Sequence, residues 1–231
     1  MNERLLRWAE AYDSGRHLVS SNDGFKMLCD PSDNNISEVM KLHHVWEPNA
    51  TEFVKSHMTQ CEGFVDCGAH WGYYTCLAGK ILNGTGRIYS FEVNPRAFRY
   101  LVFNILLNEL ENVTPVMLPL WNKSEKVEYW PAAPNTGNST VTGELIHPDN
   151  ILQAITLDEY FGDEEINFIK VDCEGTDAKV IMGAKRLLTE NSPCIMAESP
   201  PAEFLGNLGY THHSDGNDGA GQTSRWSRKT D

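Results

Sequence analysis

The run Phe64-Val65-Asp66-Cys67-Gly68-Ala69-His70-Trp71-Gly72 constrains this chain more than any other segment. An apolar stretch of strand length carries an acid near its end, a Gly-x-x-x-Gly loop follows, and a helical pattern starts over 72–82. Short apolar runs over 87–92, 113–118, 166–171 and 194–197 then alternate with helical periods over 94–110, 176–190 and 202–208. That alternation is the pattern of β-α-β units wound around a parallel sheet. Asn94 as N-cap and Pro95 at the first helical position open the second helix, where Phe98, Leu101, Val102, Ile105 and Leu106 recur at three- and four-residue spacing.

Three segments depart from the rhythm. The first sixty residues predict a collar with a short strand over 25–29, a turn cluster over 30–35, a helix over 37–42, and a helix over 50–58 opened by Asn49 and Glu52 as a capping box. Val127-Glu128-Tyr129-Trp130 alternates like an antiparallel strand, residues 131–137 are turn-rich, and 139–141 return, which predicts an inserted β-hairpin. Residues 211–231 contain no Val, Ile, Leu, Met or Phe, and Trp226 is their one large apolar side chain. They predict a mobile tail or poorly packed strands.

Nineteen Lys and Arg against 32 Asp and Glu leave a formal net charge of −13, a field that repels phosphate backbones and argues against nucleic acid as a partner. The six cysteines form no C-x-x-C pair and read as reduced, buried thiols of a cytoplasmic protein. No export signal or membrane span is expected, so the N-x-S/T sequons read as chance. His43-His44 and His212-His213 lack partners at ligand spacing, and no metal site is expected.

The chemistry concentrates at strand ends. Glycines at 68 and 72 let a ligand approach the backbone, and a helix N-terminus follows with unpaired N–H groups. The spacing is not G-x-G-x-x-G, and Asp66 would repel a pyrophosphate, which counts against a nicotinamide dinucleotide and favours a cofactor bearing an ammonium and a sulfonium. Glu92 ends the second strand 24 residues after Gly68, the position from which a carboxylate accepts bonds from both ribose hydroxyls; a solvated surface acid is the alternative. Asp172 and Glu174 end the fourth strand and suit a general base on a substrate hydroxyl, the cofactor's amine, or a divalent cation. A structural bond from Asp172 to Lys170 and a helix cap by Glu174 are the plainer readings. Tyr73 or Tyr74 is placed to offer a ring to a cation, or to pack in the core.

The chain resembles the FkbM-type family of S-adenosylmethionine-dependent methyltransferases. The likeness rests on Val65-Asp66-Cys67-Gly68-Ala69-His70-Trp71-Gly72-Tyr73-Tyr74-Thr75, on Gly86-Arg87-Ile88-Tyr89-Ser90-Phe91-Glu92-Val93-Asn94-Pro95, and on Leu101-x-x-Asn104-x-x-x-Asn108. It continues in Thr136-Gly137-Asn138-Ser139, Thr156-Leu157-Asp158-Glu159-Tyr160 and Phe168-Ile169-Lys170-Val171-Asp172-Cys173-Glu174-Gly175, with Trp46-Glu47-Pro48 upstream. His70 and Trp71 depart from the small polar and aliphatic pair usual in that loop, and the segment after Gly209 matches the last two strands poorly.

The resemblance implies a three-layer, Rossmann-like class I methyltransferase fold with a mostly parallel seven-stranded sheet, and S-adenosylmethionine as donor. Residues 1–62 would form the collar or lid, 63–210 the donor-binding domain, and 211–231 the polar tail. O-methylation of a hydroxyl on a sugar, glycan or small natural product is the implied activity, with an RNA acceptor or a non-catalytic donor-binding protein as alternatives. Asp66, Gly68, Ala69, Gly72 and Thr75 would hold the methionine half, Glu92 with Asn94 the ribose and adenine edge, and His70, Tyr73 and Val93 would also bind the donor. Asp172 and Glu174 would face the reacting centre, Asp172 also meeting the donor, with Asp172 or His70 taking the hydroxyl proton. The collar and residues 127–141 are expected to line the acceptor pocket.

Overall fold

The computed structural model describes residues 1–12, 17–32, 35–132, 136–217 and 222–228. The N-terminal segment opens with α1 (Glu3–Ala11), where the Asn2 side chain caps by accepting the Leu5 N–H at 3.2 Å. An antiparallel pair follows, β1 (Leu18–Ser20) and β2 (Lys26–Leu28), then α2 (Asn35–His43) and α3 (Pro48–Met58). From there strands and helices alternate as β3 (Gly63–Cys67), α4 (Tyr73–Leu82), β4 (Arg87–Phe91), α5 (Pro95–Leu107) and β5 (Val113–Val116). Asn94 caps α5, accepting the Arg96 and Ala97 N–H groups at 2.8 and 3.2 Å. An insert carries β6 (Lys126–Trp130), β7 (Thr140–Thr142) and β8 (Ile151–Gln153). The chain then runs through α6 (Leu157–Phe161), β9 (Phe168–Val171), α7 (Asp177–Met182), α8 (Lys185–Glu190), β10 (Cys194–Ala197), α9 (Ala202–Asn207), β11 (Tyr210–Asn217) and β12 (Gln222–Arg228).

Seven strands form one sheet in the order β11-β12-β10-β9-β3-β4-β5. Every pair from β10 to β5 is parallel, and β12 runs antiparallel to both of its neighbours. Strand order reverses between β3 and β9, which opens a crevice at their C-terminal ends. Period-two alternation sorts the side chains into two cores. Phe64, Ile88, Phe168 and Met196 join Val54, Leu77 and Leu101 on the face covered by α3, α4 and α5. Val65, Tyr89, Ile169 and Ile195 join Phe161, Val180, Leu187 and Leu205 on the other. Each large side chain so buried contributes about 1.5–3 kcal/mol, so the strand tips stand on a well-anchored base. Pro115, which has no N–H to donate, sits in β5 at the sheet's edge.

Four expectations are corrected. Glu47, not Asn49, starts α3: it takes the left-handed conformation (φ 41°) and places Pro48 in the first turn, where a missing N–H costs nothing. The inserted hairpin is a three-stranded sheet, β7-β6-β8, because the short segment Ile151–Gln153 pairs with β6 on its other side. The single helix over 176–190 breaks into α7 and α8 at Gly183, which packs so closely on the backbone of Trp121 that an added Cβ would lie 2.2 Å from the Trp121 carbonyl oxygen. The segment after Gly209 forms β11 and β12, with Trp226 buried opposite Ile195 and the Arg225 guanidinium 4.5 Å from the Phe53 ring centre. One indole and one cation–π contact supply the anchoring that a count of aliphatic residues overlooks. Residues 218–221 and 229–231 of that segment, 133–135 of the expected turn, 33–34 of the collar turn and Asp13 lie outside the described residues.

Candidate functional site

The loops after β3, β4 and β9 meet at the crevice and are tied to one another through backbone atoms. Gly68 (φ 76°) lies so close to the β9 loop that an added Cβ would stand 1.8 Å from the Asp172 carbonyl oxygen. The N–H groups of Gly68 and Ala69 both donate to the Phe91 carbonyl, at 3.0 and 2.9 Å, and that of Asp172 donates to the Cys67 carbonyl at 3.0 Å. Asn104 of α5 holds the loop from below, donating to the carbonyls of Trp71 and Leu28 and accepting the Leu28 N–H. The cofactor-type loop is thereby fixed to the sheet and to the collar together.

Glu92 sits at the centre of this knot. Its two carboxylate oxygens accept the backbone N–H of His70 at 2.8 Å and of Asn94 at 2.7 Å. Burial pushes its pKa up to about 7, against the lowering pull of those two bonds. Each oxygen keeps a second lone pair for a further donor.

A cavity of about 840 Å³ opens over these loops. Of the residues expected from sequence, Gly68, Ala69, His70, Tyr73, Glu92, Val93, Asp172 and Glu174 line it. Asp66, Gly72, Thr75 and Asn94 are not among its lining residues. Asp66 is fully buried, accepting the Thr75 hydroxyl at 2.7 Å, and the same hydroxyl meets Ser90 at 2.7 Å. Gly72 starts α4 at φ 87° with Leu101 packed against it. Collar residues Met27, Ile36, Val39, His43 and Trp46 and the segment 136–141 complete the wall.

Lys170 carries more of the site than its sequence neighbourhood signals. It pairs in register with Asp66, and its ammonium lies 3.5 Å from Asp66 and 3.3 Å from Asp172 while donating to the Gly68 carbonyl at 3.2 Å. Burial pulls its pKa down, but Asp172 and Asp66 outweigh that pull and hold it above the usual lysine range. The signal available in sequence is a lysine inside the otherwise apolar strand Phe168-Ile169-Lys170-Val171. The ring of Tyr74 faces this lysine at 5.2 Å, and its hydroxyl donates to Glu47 at 2.6 Å. Tyr73 packs edge-on to Phe25.

The acids around the cavity differ in setting. Glu47 is buried, whereas Glu174 and Glu198 are exposed at the rim. Partial burial and the nearby Asp172 and Asp177 push Glu198 up to about 7 and Glu174 up from the usual glutamate value. His70 is pulled down to about 4 by burial, and its Nε2 lies 2.8 Å from the Thr136 hydroxyl. Glu47 and Glu198 are site residues that motif reading did not assign, although Glu47 stands in the quoted Trp46-Glu47-Pro48 step.

Among the described residues no group of three or more His, Cys, Asp or Glu side chains is arranged to hold a metal ion, and no helix is long and apolar enough to cross a membrane. The six cysteines are free thiols, four of them buried.

A family model described as the methyltransferase FkbM domain matches residues 66–225. No curated relative matches the chain. Among solved structures it is similar to a methyltransferase FkbM from Methylobacillus flagellatus KT, at TM-score 0.54 and 16% identity, covering 97% of this chain and 60% of that one. This chain therefore spans about three fifths of that protein's length. It is also similar to the putative methyltransferase yhhF from Escherichia coli, at TM-score 0.53 and 13% identity, covering 93% of this chain and 99% of that one. A tRNA m1G37 methyltransferase from M. jannaschii has TM-score 0.54 at 13% identity, over 93% of this chain and 57% of that one. At these identities what the structures share with this chain is the fold, a mostly parallel sheet flanked by helices.

Proposed function

The chain belongs to the FkbM methyltransferase family, and from that premise we propose that it methylates a hydroxyl oxygen on a sugar or small natural product. One observation carries the donor side of the reading, the hydroxyl acceptor following from the family resemblance: a buried carboxylate, Glu92, held by two backbone N–H groups beside a glycine loop at the edge of a cavity of about 840 Å³. The residues suit S-adenosylmethionine, since Gly68 leaves backbone bare, Glu92 has lone pairs to spare for ribose hydroxyls, and the cavity's acids favour a cationic donor. Bound there, S-adenosylmethionine supplies a methyl group already activated on positive sulfur.

The chain's own residues must then hold, dry and deprotonate. In this reading Gly68, Ala69 and His70 offer the loop surface, Glu92 accepts from the ribose with Val93 at the adenine side, and Asp172 lies toward the donor's amine and the reacting oxygen. Asp66, Thr75, Gly72 and Asn94 act from behind the wall by fixing strand tips and helix starts. Alignment of two reactants in a closed site contributes up to about 7–11 kcal/mol. Asp172 is our choice of proton acceptor, a role worth roughly 10²–10⁴ in rate. His70, pulled down to about 4, is a weak base and already bonded to Thr136. Glu174 stands at the rim, where it meets the acceptor rather than the donor. An RNA acceptor is disfavoured by the net charge of −13 and the acidic cavity wall.

The test is transfer from methyl-labelled S-adenosylmethionine to a panel of glycosides, hydroxylated small molecules and RNA, read by the carbon shift of the new methyl group. An O-methyl product supports the proposal. Label found on nitrogen, carbon or RNA instead would refute it.

A further inference from the structure

The segment around the short 3₁₀ turn Thr136–Asn138 belongs by sequence to the insert, yet its side chains and carbonyls bond to the strand tips of the main sheet. The Thr136 hydroxyl meets His70 Nε2 at 2.8 Å, beyond β3. The Asn94 side-chain amide, beyond β4, donates to the Ser139 hydroxyl at 2.9 Å and reaches the Thr136 carbonyl at 3.5 Å. The Thr140 hydroxyl donates to the Glu174 carbonyl at 2.8 Å, beyond β9. Thr136 and Ser139 are buried, and residues 136–140 all line the cavity that Ala69, Glu92 and Val93 line. A ligand lying on the glycine loop is therefore flanked by this segment as well.

His70 joins the two walls. Its φ of 50° is unfavourable for a side chain with a Cβ, and the conformation is held by what it connects. The backbone N–H donates to Glu92, and the imidazole reaches Thr136. We propose that His70 is a positioning residue: together with the Asn94 and Thr140 bonds, its imidazole holds residues 136–140 across the cavity as a strap, forming the second wall of the donor site, and opening of the His70–Thr136 bond loosens that wall and speeds release of a bound donor. This rests on the reading of the cavity as the S-adenosylmethionine site. The low pKa of His70 keeps the imidazole neutral near pH 7, so the strap bond does not depend on protonation there.

The test measures S-adenosylhomocysteine binding by calorimetry and its release by stopped-flow fluorescence, in wild type, His70→Ala, His70→Gln, Thr136→Val and the double variant His70→Ala/Thr136→Val. Loss of one such bond is expected to weaken affinity by about tenfold, chiefly through faster release, with the melting temperature of the ligand-free protein little changed. His70→Gln, which keeps a polar group near the Nε2 position, recovers part of the loss. The double variant is no weaker than the worse single one, since both remove one bond. Wild type that binds while the variants match it, or single effects that add, would overturn the strap alone. Wild type that takes up no S-adenosylhomocysteine removes the donor reading and the strap with it.

Discussion

The Lys170 ammonium stands 3.3 Å from the Asp172 carboxylate, and the same ammonium lies 3.5 Å from Asp66, a side chain with no exposure. One buried cation thus serves two acids on adjacent strands and fixes the tip of β9 against the glycine loop. Removing it leaves Asp66 an uncompensated buried charge. Lys170→Met is expected to cost about 3–5 kcal/mol in urea unfolding, and adding Asp66→Asn to recover part of that. A single variant as stable as wild type would show the cluster to be dispensable.

Gly68 admits no side chain. Its φ of 76° and the Asp172 carbonyl, 1.8 Å from where a Cβ would sit, force the β3 and β9 loops apart in Gly68→Ala. Destabilisation of about 2–4 kcal/mol is expected, together with loss of S-adenosylhomocysteine binding, measured by chemical unfolding and calorimetry. Normal stability and binding would mean that the two backbones do not meet this closely.

Much of this architecture follows from local pattern. Val65, Ile169 and Ile195 turn to one face and Phe64, Phe168 and Met196 to the other, and that alternation with its intervening helices is visible without coordinates. Glu92 is legible too, because its distance from Gly68 follows from the length of one β-α-β unit. What escaped depends on partners distant in sequence. Ile151–Gln153 is a strand because β6 offers it an edge, and the helix after Thr176 breaks at Gly183 because Trp121 lies against it. Lys170 reads as an ordinary charge until register sets it opposite Asp66. Asp66, promising as a ligand group by motif, is turned by strand alternation toward Thr75, behind the cavity wall.

The pH dependence of stability separates Glu92 from His70. Glu92, raised to about 7, is protonated in the folded chain between about 4.5 and 7 while the unfolded chain has released the proton, so this residue lowers stability as pH rises through that window. His70, lowered to about 4, acts oppositely: between about 4 and 6.5 the unfolded chain holds the extra proton, and stability rises with pH. The two oppose one another up to about 6.5; above it the His70 effect has ended and Glu92 continues to about 7, joined by Glu198, which is raised to about the same value. Urea unfolding across pH 4–8 is therefore expected to show Glu92→Gln lacking the downward component and His70→Gln lacking the upward one. Parallel curves for both variants and wild type would refute the assigned burial effects.

Calorimetric titration of the folded protein with S-adenosylhomocysteine tests the donor-site assignment most directly. At pH 8, above the value of about 7 to which Glu92 is raised, one saturable binding event is expected in wild type, weakened by at least about tenfold in Glu92→Ala, the loss expected when a charged acceptor of ribose hydroxyls is removed. Titrations without saturable heat, or an affinity that Glu92→Ala leaves unchanged, would contradict the account.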